Sequence, residues 1–220
     1  MQSLRPDLRQ DTCPLCEQAV AHGSIEVSSG SYRHCAICDL IFLQANQRLC
    51  RARERAHYLT HENHVDDSRY RAFLSQLANP LLQRLPRGSR GIDFGAGPGP
   101  ALAAMLDEAG CPTAVYDPFF APDQAVLQQR YDFVTCTEVV EHMYQPGREL
   151  GLIDRLLYPG GWLGVMTELR ADSTEFAAWY YHKDPTHVCF WSAATVSWIA
   201  RQYNWHIEML QNRVILFRKS

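Results

Sequence analysis

The sequence has no long hydrophobic run and no excess of basic charge. No apolar stretch among its 220 residues approaches the roughly 18 residues of a membrane span. The first twelve residues, MQSLRPDLRQDT, contain no hydrophobic signal core. The net charge is −3 and the isoelectric point is near 6.3, so no overall basic field attracts nucleic acid. These absences predict a cytoplasmic protein without a membrane partner.

Cysteine, in contrast, is plentiful, with eight residues. In a reducing compartment, cysteines bind metals or fill the core more often than they form disulfides. Four of them form two C-x2-C pairs with eighteen residues between the pairs. This spacing suits a tetrahedral zinc site, and the few apolar residues around it could not hold a fold without the metal. We predict a structural zinc ribbon in residues 1–45 with the ligands Cys13, Cys16, Cys35 and Cys38. The other cysteines occur singly, and three of them are predicted core residues: Cys111, Cys136 and Cys189.

A turn of alternating glycines follows a short apolar strand in the segment GIDFGAGPGP, residues 91–100. Such a turn leaves bare backbone at the carboxyl edge of a sheet, where a nucleotide-like ligand can lie. The dinucleotide fingerprint G-x-G-x-x-G/A would place its third small residue at position 100. Because that residue is Pro100, the turn fits a nicotinamide cofactor poorly.

Strand and helix patterns alternate after this turn. A helix-forming stretch, residues 101–109, precedes a strand, residues 113–116, and Asp117 follows at the strand's end. A carboxylate at this distance from the glycines lies beside a ribose diol in strand–helix–strand units. Further strands are predicted at residues 131–136 and 162–167, with a helix between them. This alternation predicts a parallel α/β sheet with its ligands at the carboxyl ends of the strands.

In this order, the glycine turn, the strand with Asp117, YDFVTCTEVVEH and LLYPGGWLGVMT resemble the successive motifs of class I S-adenosylmethionine-dependent methyltransferases. The chain is most similar to the branch with an upstream zinc ribbon and a glutamate–histidine pair after the fourth strand. The resemblance covers residues 86–220 and implies a Rossmann-like α/β sheet with S-adenosylmethionine as methyl donor. Its implied cofactor-binding residues are Asp93, Gly95, Ala96, Gly97, Gly99, Asp117, Pro118, Thr137 and Glu138.

One departure from the family pattern is visible. Only thirteen residues separate Asp117 from Tyr131, too few for a helix, a strand and their loops. We therefore expect one edge strand of the sheet to be shortened or missing.

Residues 46–85 are predicted to be a helical connector that covers the cofactor. Its arginines, Arg51, Arg53 and Arg55, are interpreted as a solvated first stretch. Tyr58 is a candidate cofactor contact, with His61 and Asn63 as further pocket-lining candidates. His57, His61 and His64 would share one helical face, as metal ligands can, although a cover without metal is the favoured interpretation.

The acceptor side is assigned to the segment WYYHKDPTHVCFW, residues 179–191. His187 is the candidate base or acceptor contact, and Glu141 and His142 form a second candidate catalytic pair. His182, Asp184 and His187 could instead be metal ligands or hydrogen-bonding residues of a lid. The aromatic residues suit a planar acceptor or ordinary lid packing.

A small-molecule acceptor is the leading hypothesis. An RNA or protein acceptor that docks on the ribbon, and a non-catalytic cofactor-binding module, are the alternatives.

Overall fold

The structure is a computed structural model that describes residues 12–20, 23–60, 64–171, 176–211 and 213–220. Its first half contains a small three-stranded unit, two helices, and the first strand of the main sheet. These elements are β1 (Ile25–Val27), β2 (Gly30–His34), β3 (Ile41–Leu43), α1 (Arg51–Tyr58), α2 (Ser68–Leu82) and β4 (Gly91–Phe94).

The second half alternates helices and strands, as the sequence predicts. Its elements are α3 (Ala101–Glu108), β5 (Thr113–Tyr116), β6 (Tyr131–Thr137), α4 (Pro146–Leu156), β7 (Leu157–Met166), β8 (Cys189–Phe190), α5 (Ala193–Tyr203), β9 (Trp205–Gln211) and β10 (Val214–Lys219). Among the described residues of both halves, no helix is long and apolar enough to cross a membrane.

Six strands form the main sheet in the order β5-β4-β6-β7-β10-β9. The first four are parallel, and β10 is antiparallel to both of its neighbours. The described segment between Asp117 and Tyr131 contains only an isolated bridge and a 3-10 turn, Val126–Gln128. The expected loss of an edge strand is confirmed, because this segment is too short to cross over and return to the sheet.

Helices cover both faces of the sheet. On one face, α2 and α3 pack against Phe133 and Met166, and on the other, α4 and α5 pack against Val134 and Val165. Neighbouring strand residues enter different cores because side chains alternate along a strand. In α2, the buried residues recur with the helical period: Leu74, Leu77, Ala78 and Leu81.

The small N-terminal sheet is completed by a strand from the far end of the chain. β1, β2 and β3 form an antiparallel unit, and β8 pairs with β3 through Ile41–Phe190 and Phe42–Cys189. The Arg170 guanidinium also lies 2.6 Å from the Asp39 carboxylate. The cysteine-bearing unit is therefore built into the core fold, and its sheet includes residues beyond the predicted 1–45 segment.

Candidate active site

A cavity of about 810 Å³ lies at the carboxyl ends of β4, β5 and β6. Small-molecule sites typically have volumes of roughly 300–1,000 Å³. The glycine turn, Asp117 and Thr137 lie on one side of the cavity, and His142 and His187 line it as well. The edge of the sheet predicted to bind ligands thus holds a cavity of the appropriate size.

Two glycines of the turn have left-handed backbone conformations, with φ of 84° at Gly95 and 67° at Gly97. A Cβ on Gly95 would lie 2.6 Å from the side chain of Val139, whereas one on Gly97 would meet no protein atom within 4 Å. Gly95 is therefore required by both packing and conformation. Gly97 is required by conformation, and its open side belongs to the cavity.

Asp117 joins the glycine turn to the loop after β5. The carboxylate is buried, and its Oδ2 accepts a hydrogen bond from Gly97 N at 3.0 Å. Its Oδ1 accepts from Phe119 N at 2.7 Å and from Phe120 N at 3.0 Å. An ionised carboxylate offers about four acceptor positions. Asp117 therefore organises the site and retains capacity for a ligand hydroxyl.

The second implied carboxylate, Asp93, lies beneath the turn. It is buried, and Thr135 Oγ1 donates a hydrogen bond to it at 2.7 Å. Burial raises its pKa to about 6, and the negative charge of Asp117 adds to this effect.

We expect Asp93→Asn to reduce the pH dependence of stability. The folded pKa lies above the unfolded value of 3.8, so the wild type loses stability as the pH rises from about 4 to about 6. Above that range, the variant should be the more stable protein by up to about 3 kcal/mol. Urea unfolding between pH 4.5 and 7.5 measures the difference, and the exposed Asp66→Asn serves as control. Parallel pH profiles for wild type and Asp93→Asn would refute the expectation.

The end of β6 places two unsatisfied polar atoms at the cavity wall. Thr137 Oγ1 and Glu138 Oε1 are buried and lack hydrogen-bond partners among the described residues. Burial, with repulsion from Glu141, raises the pKa of Glu138 to about 8. The Glu138 backbone is left-handed at φ 52°, and Arg213 Nη1 lies 3.6 Å from its carboxylate. This wall can therefore accept a polar or cationic group of a ligand.

Helix α1 closes one side of the cavity; its arginines are exposed, as expected, and one of them, Arg51, also contacts the loop after β5. Its guanidinium stacks over Phe119 at 4.3 Å and donates to Pro118 O at 2.5 Å. Tyr58 lines the cavity as expected, and its hydroxyl donates to Glu54 at 2.9 Å. The recurrence of Arg51, Glu54 and Tyr58 at helical spacing was the available sequence signal for this shared face.

The proposed histidine alignment does not form in the described part of the connector. Helix α1 ends at Tyr58, so His64 lies outside it, while His61 and Asn63 lie outside the described residues. Instead, His57 Nε2 lies 3.3 Å from Asp184 Oδ2. This contact links α1 to the acceptor-side loop.

On the acceptor side, the structure brings all three predicted catalytic residues together. The rings of His142 and His187 lie 4.8 Å apart, and Glu141 is buried behind them. Burial and the neighbouring His142 lower the pKa of His187. Burial opposes ionisation of Asp184, but hydrogen bonds from Thr186 lower the pKa of Asp184 to about 2.

Two further residues of the 179–191 segment, His182 and Phe190, face the cysteine-bearing unit. His182 Nδ1 lies 2.7 Å from Ser29 Oγ, and its ring packs near Tyr32 and Phe176. Phe190 packs edge-on against the same two aromatic rings. These residues therefore pack the lid and do not line the described cavity.

The four paired cysteines converge. Sγ–Sγ distances are 3.5 Å for Cys13–Cys38 and 3.5 Å for Cys16–Cys35, and all four sulfurs lie within 4.8 Å of one another. Tetrahedral zinc with Zn–S bonds of about 2.3 Å requires S–S distances of roughly 3.8 Å. The donor set therefore fits zinc. The adjacent His34 hydrogen-bonds to Asp39 at 2.6 Å.

Comparisons with known proteins agree with this geometry. The model of a family described as a methyltransferase domain matches residues 66–210, more than half of the chain. A search of curated proteins gave no match.

Among solved structures, the fold is similar to that of 1,6-didemethyltoxoflavin-N1-methyltransferase from Burkholderia thailandensis. That structure holds 1,6-didemethyltoxoflavin and S-adenosylhomocysteine. The TM-score is 0.57 at 16% identity, covering 85% of this chain and 98% of that one. CalO1, a methyltransferase of calicheamicin biosynthesis in its S-adenosylhomocysteine-bound form, gives a TM-score of 0.49 at 13% identity, with 68% and 54% covered. By its glycine turn, its strand order and the matching family model, this chain belongs to the class I S-adenosylmethionine-dependent methyltransferases.

Proposed function

We propose that the chain transfers the methyl group of S-adenosylmethionine to a small-molecule acceptor. The observation that carries this proposal is a single cavity lined by both the glycine turn and the pair His142–His187. When bound, S-adenosylmethionine supplies an electrophilic methyl group on a sulfonium. Alignment of the acceptor atom with that methyl provides much of the rate acceleration in such transfers.

The cofactor would lie along the glycine turn, with the ribose at Asp117 and Pro118. The unsatisfied Thr137 Oγ1 and Glu138 Oε1 would bind polar groups at the adenine or methionine end. Ala96 and Gly99 supply the backbone surface, Asp93 supports it from beneath, and Tyr58 closes it from α1.

The acceptor would occupy the part of the cavity beside His187, His142 and Asp184. Helix α1 borders this space, and its Arg51 is already engaged with Phe119. A cavity of about 810 Å³ in a protein of net charge −3 favours a small molecule over RNA. The Burkholderia enzyme of the same fold holds a small molecule and S-adenosylhomocysteine together.

The four cysteines would hold a structural zinc. A closed four-thiolate site has no open position for substrate, so the metal stabilises the fold. Since β8 extends the sheet next to this site, the zinc would also support the segment that carries His187.

Incubation with methyl-labelled S-adenosylmethionine and fractionated cell extract tests the proposal. We expect label in a low-molecular-weight fraction, and S-adenosylhomocysteine as the second product. The variant His187→Gln should bind S-adenosylhomocysteine normally yet transfer label roughly 100-fold more slowly.

The exposed His206→Gln is the matched control, since it also removes an imidazole but lies on β9. Label in RNA or protein would overturn the small-molecule assignment. Wild-type transfer rates in His187→Gln would show that this residue has no role at the acceptor site.

A further inference from the structure

A second group of metal-type ligands lies apart from the cysteines, in Glu141, His142 and His187. One ligand atom from each residue lies within 4.8 Å of the other two. Glu141 and His142 belong to the 3-10 turn Val140–His142 after β6, and His187 precedes β8. Val188 N donates to Glu141 O at 2.8 Å, which holds these two segments together. The cluster is thus fixed by the backbone of two different elements.

Both imidazoles are oriented through their Nδ1 atoms. His142 Nδ1 lies 3.1 Å from Thr186 O, and His187 Nδ1 lies 2.7 Å from Tyr181 O. A carbonyl oxygen only accepts hydrogen bonds, so each Nδ1 carries a hydrogen, and in the neutral imidazole the lone pair is on Nε2. Histidine ligands of metals characteristically have one ring N–H donated to a carbonyl or carboxylate, which fixes the tautomer and the ring orientation.

The carboxylate of Glu141 has an unsatisfied oxygen. The residue is 1% exposed, and the Tyr181 hydroxyl donates to its Oε1. Its Oε2 is buried and has no hydrogen-bond partner among the described residues. Arg213 is paired with Glu138 and Glu168. A buried carboxylate oxygen in this situation is costly unless a cation or donor completes it.

We propose that Glu141, His142 and His187 bind a divalent first-row transition-metal ion. Two imidazoles and one carboxylate suit Mn²⁺, Fe²⁺, Co²⁺ or Zn²⁺, and three protein ligands leave coordination positions open. His142 and His187 line the cavity, so the open positions face the space assigned to the acceptor. The cysteine set, with four soft ligands, is closed and selects zinc.

This placement also specifies the chemistry of the acceptor, and that part rests on the proposed function. A cation at this position favours an acceptor hydroxyl, because it lowers the pKa of an oxygen ligand. The hydroxyl proton leaves to solvent. The oxygen lone pair then forms the O–CH₃ bond while the S–CH₃ bond breaks, and S-adenosylhomocysteine remains as a neutral thioether.

Titration of the zinc-loaded chain of 220 residues with Mn²⁺, followed by electron paramagnetic resonance, tests the site. We expect one bound Mn²⁺ per chain and at least about tenfold weaker binding in Glu141→Gln. His142→Gln provides a second ligand variant at a less buried position, and circular dichroism verifies its fold. Glu168→Gln, a carboxylate outside the cluster, should bind Mn²⁺ as the wild type does.

Equal Mn²⁺ binding in the wild type and both ligand variants would overturn the site, as would its absence from the wild type. Binding of S-adenosylhomocysteine is measured on the same samples by calorimetry. If the expected Mn²⁺ binding is not seen while S-adenosylhomocysteine still binds, only the cation site is refuted. Mn²⁺ binding without S-adenosylhomocysteine binding refutes the proposed cofactor site and leaves the cation site standing.

Discussion

Replacement of Cys35 by Ser should prevent binding of the proposed zinc and lower the methyl-transfer rate by roughly 100-fold. The reason is the path from the cysteines to the acceptor side. The knuckle of Cys35 and Cys38 leads directly into β3, β3 pairs with β8, and His187 lies two residues before β8. His182 and Ser29 form a second contact between the same two units. Loss of the metal should therefore displace His187 even though no cysteine lines the cavity.

The Cys35→Ser variant should also be less stable than the wild type. Structural zinc contributes roughly 10–16 kcal/mol of apparent binding free energy in zinc-finger peptides. If only a few kcal/mol of this binding free energy stabilises the whole fold, its loss would lower the melting temperature by roughly 10 °C. Zinc content by mass spectrometry, melting temperature and label transfer measure the three effects. The exposed single cysteine provides the control variant Cys50→Ser, which should retain one zinc and wild-type activity. Full activity in a zinc-free Cys35→Ser protein would exclude this role for the cysteine site.

Gly97→Ala should weaken the binding of S-adenosylhomocysteine by roughly 100-fold. Gly97 lines the cavity, and no protein atom lies within 4 Å of an added Cβ, so the methyl group would occupy space needed by the ligand. Such overpacking costs about 1–3 kcal/mol, and 1.4 kcal/mol corresponds to a factor of ten in affinity. The left-handed φ of 67° adds backbone strain that lowers stability.

Gly160→Ala separates the two effects. Gly160 has a φ of 77° and open surroundings, but it lies at an exposed position of β7 and does not line the cavity. Both variants should lose a similar amount of thermal stability, about 1 kcal/mol, and only Gly97→Ala should lose ligand affinity in calorimetry. Unchanged affinity in Gly97→Ala would mean that the ligand does not approach this part of the turn.

The main sheet was predictable because its signals are local. Apolar runs bounded by glycine and proline mark β4 and β7, and the spacing of leucines marks α2. The missing edge strand was also predictable, since thirteen residues are too few for a crossover helix, a strand and their loops. In each case the length and period of a continuous segment contained the information.

Other features of the fold had no local sequence signal. β8 has only two residues and no period of its own, and it exists because Phe190 and Cys189 pair with β3. Arg51 is exposed as expected, but its stacking on Phe119 had no sequence signal, because that contact depends on how α1 lies across the loop after β5. The lid aromatics were ambiguous for the same reason, since packing against Tyr32 cannot be inferred from their spacing.

The predicted site residues illustrate the difference between local and tertiary information. Each cysteine knuckle and the glycine turn are contiguous in sequence, so their residue types and spacing alone indicated the chemistry. The cluster of His142 and His187 joins segments 45 residues apart in the chain, which the backbone hydrogen bond from Val188 N to Glu141 O holds together. Sequence therefore determined the family, the glycine turn and the cysteine pairs. Tertiary structure decided which acceptor-side groups meet, because only packing fixes their distances, tautomers and burial.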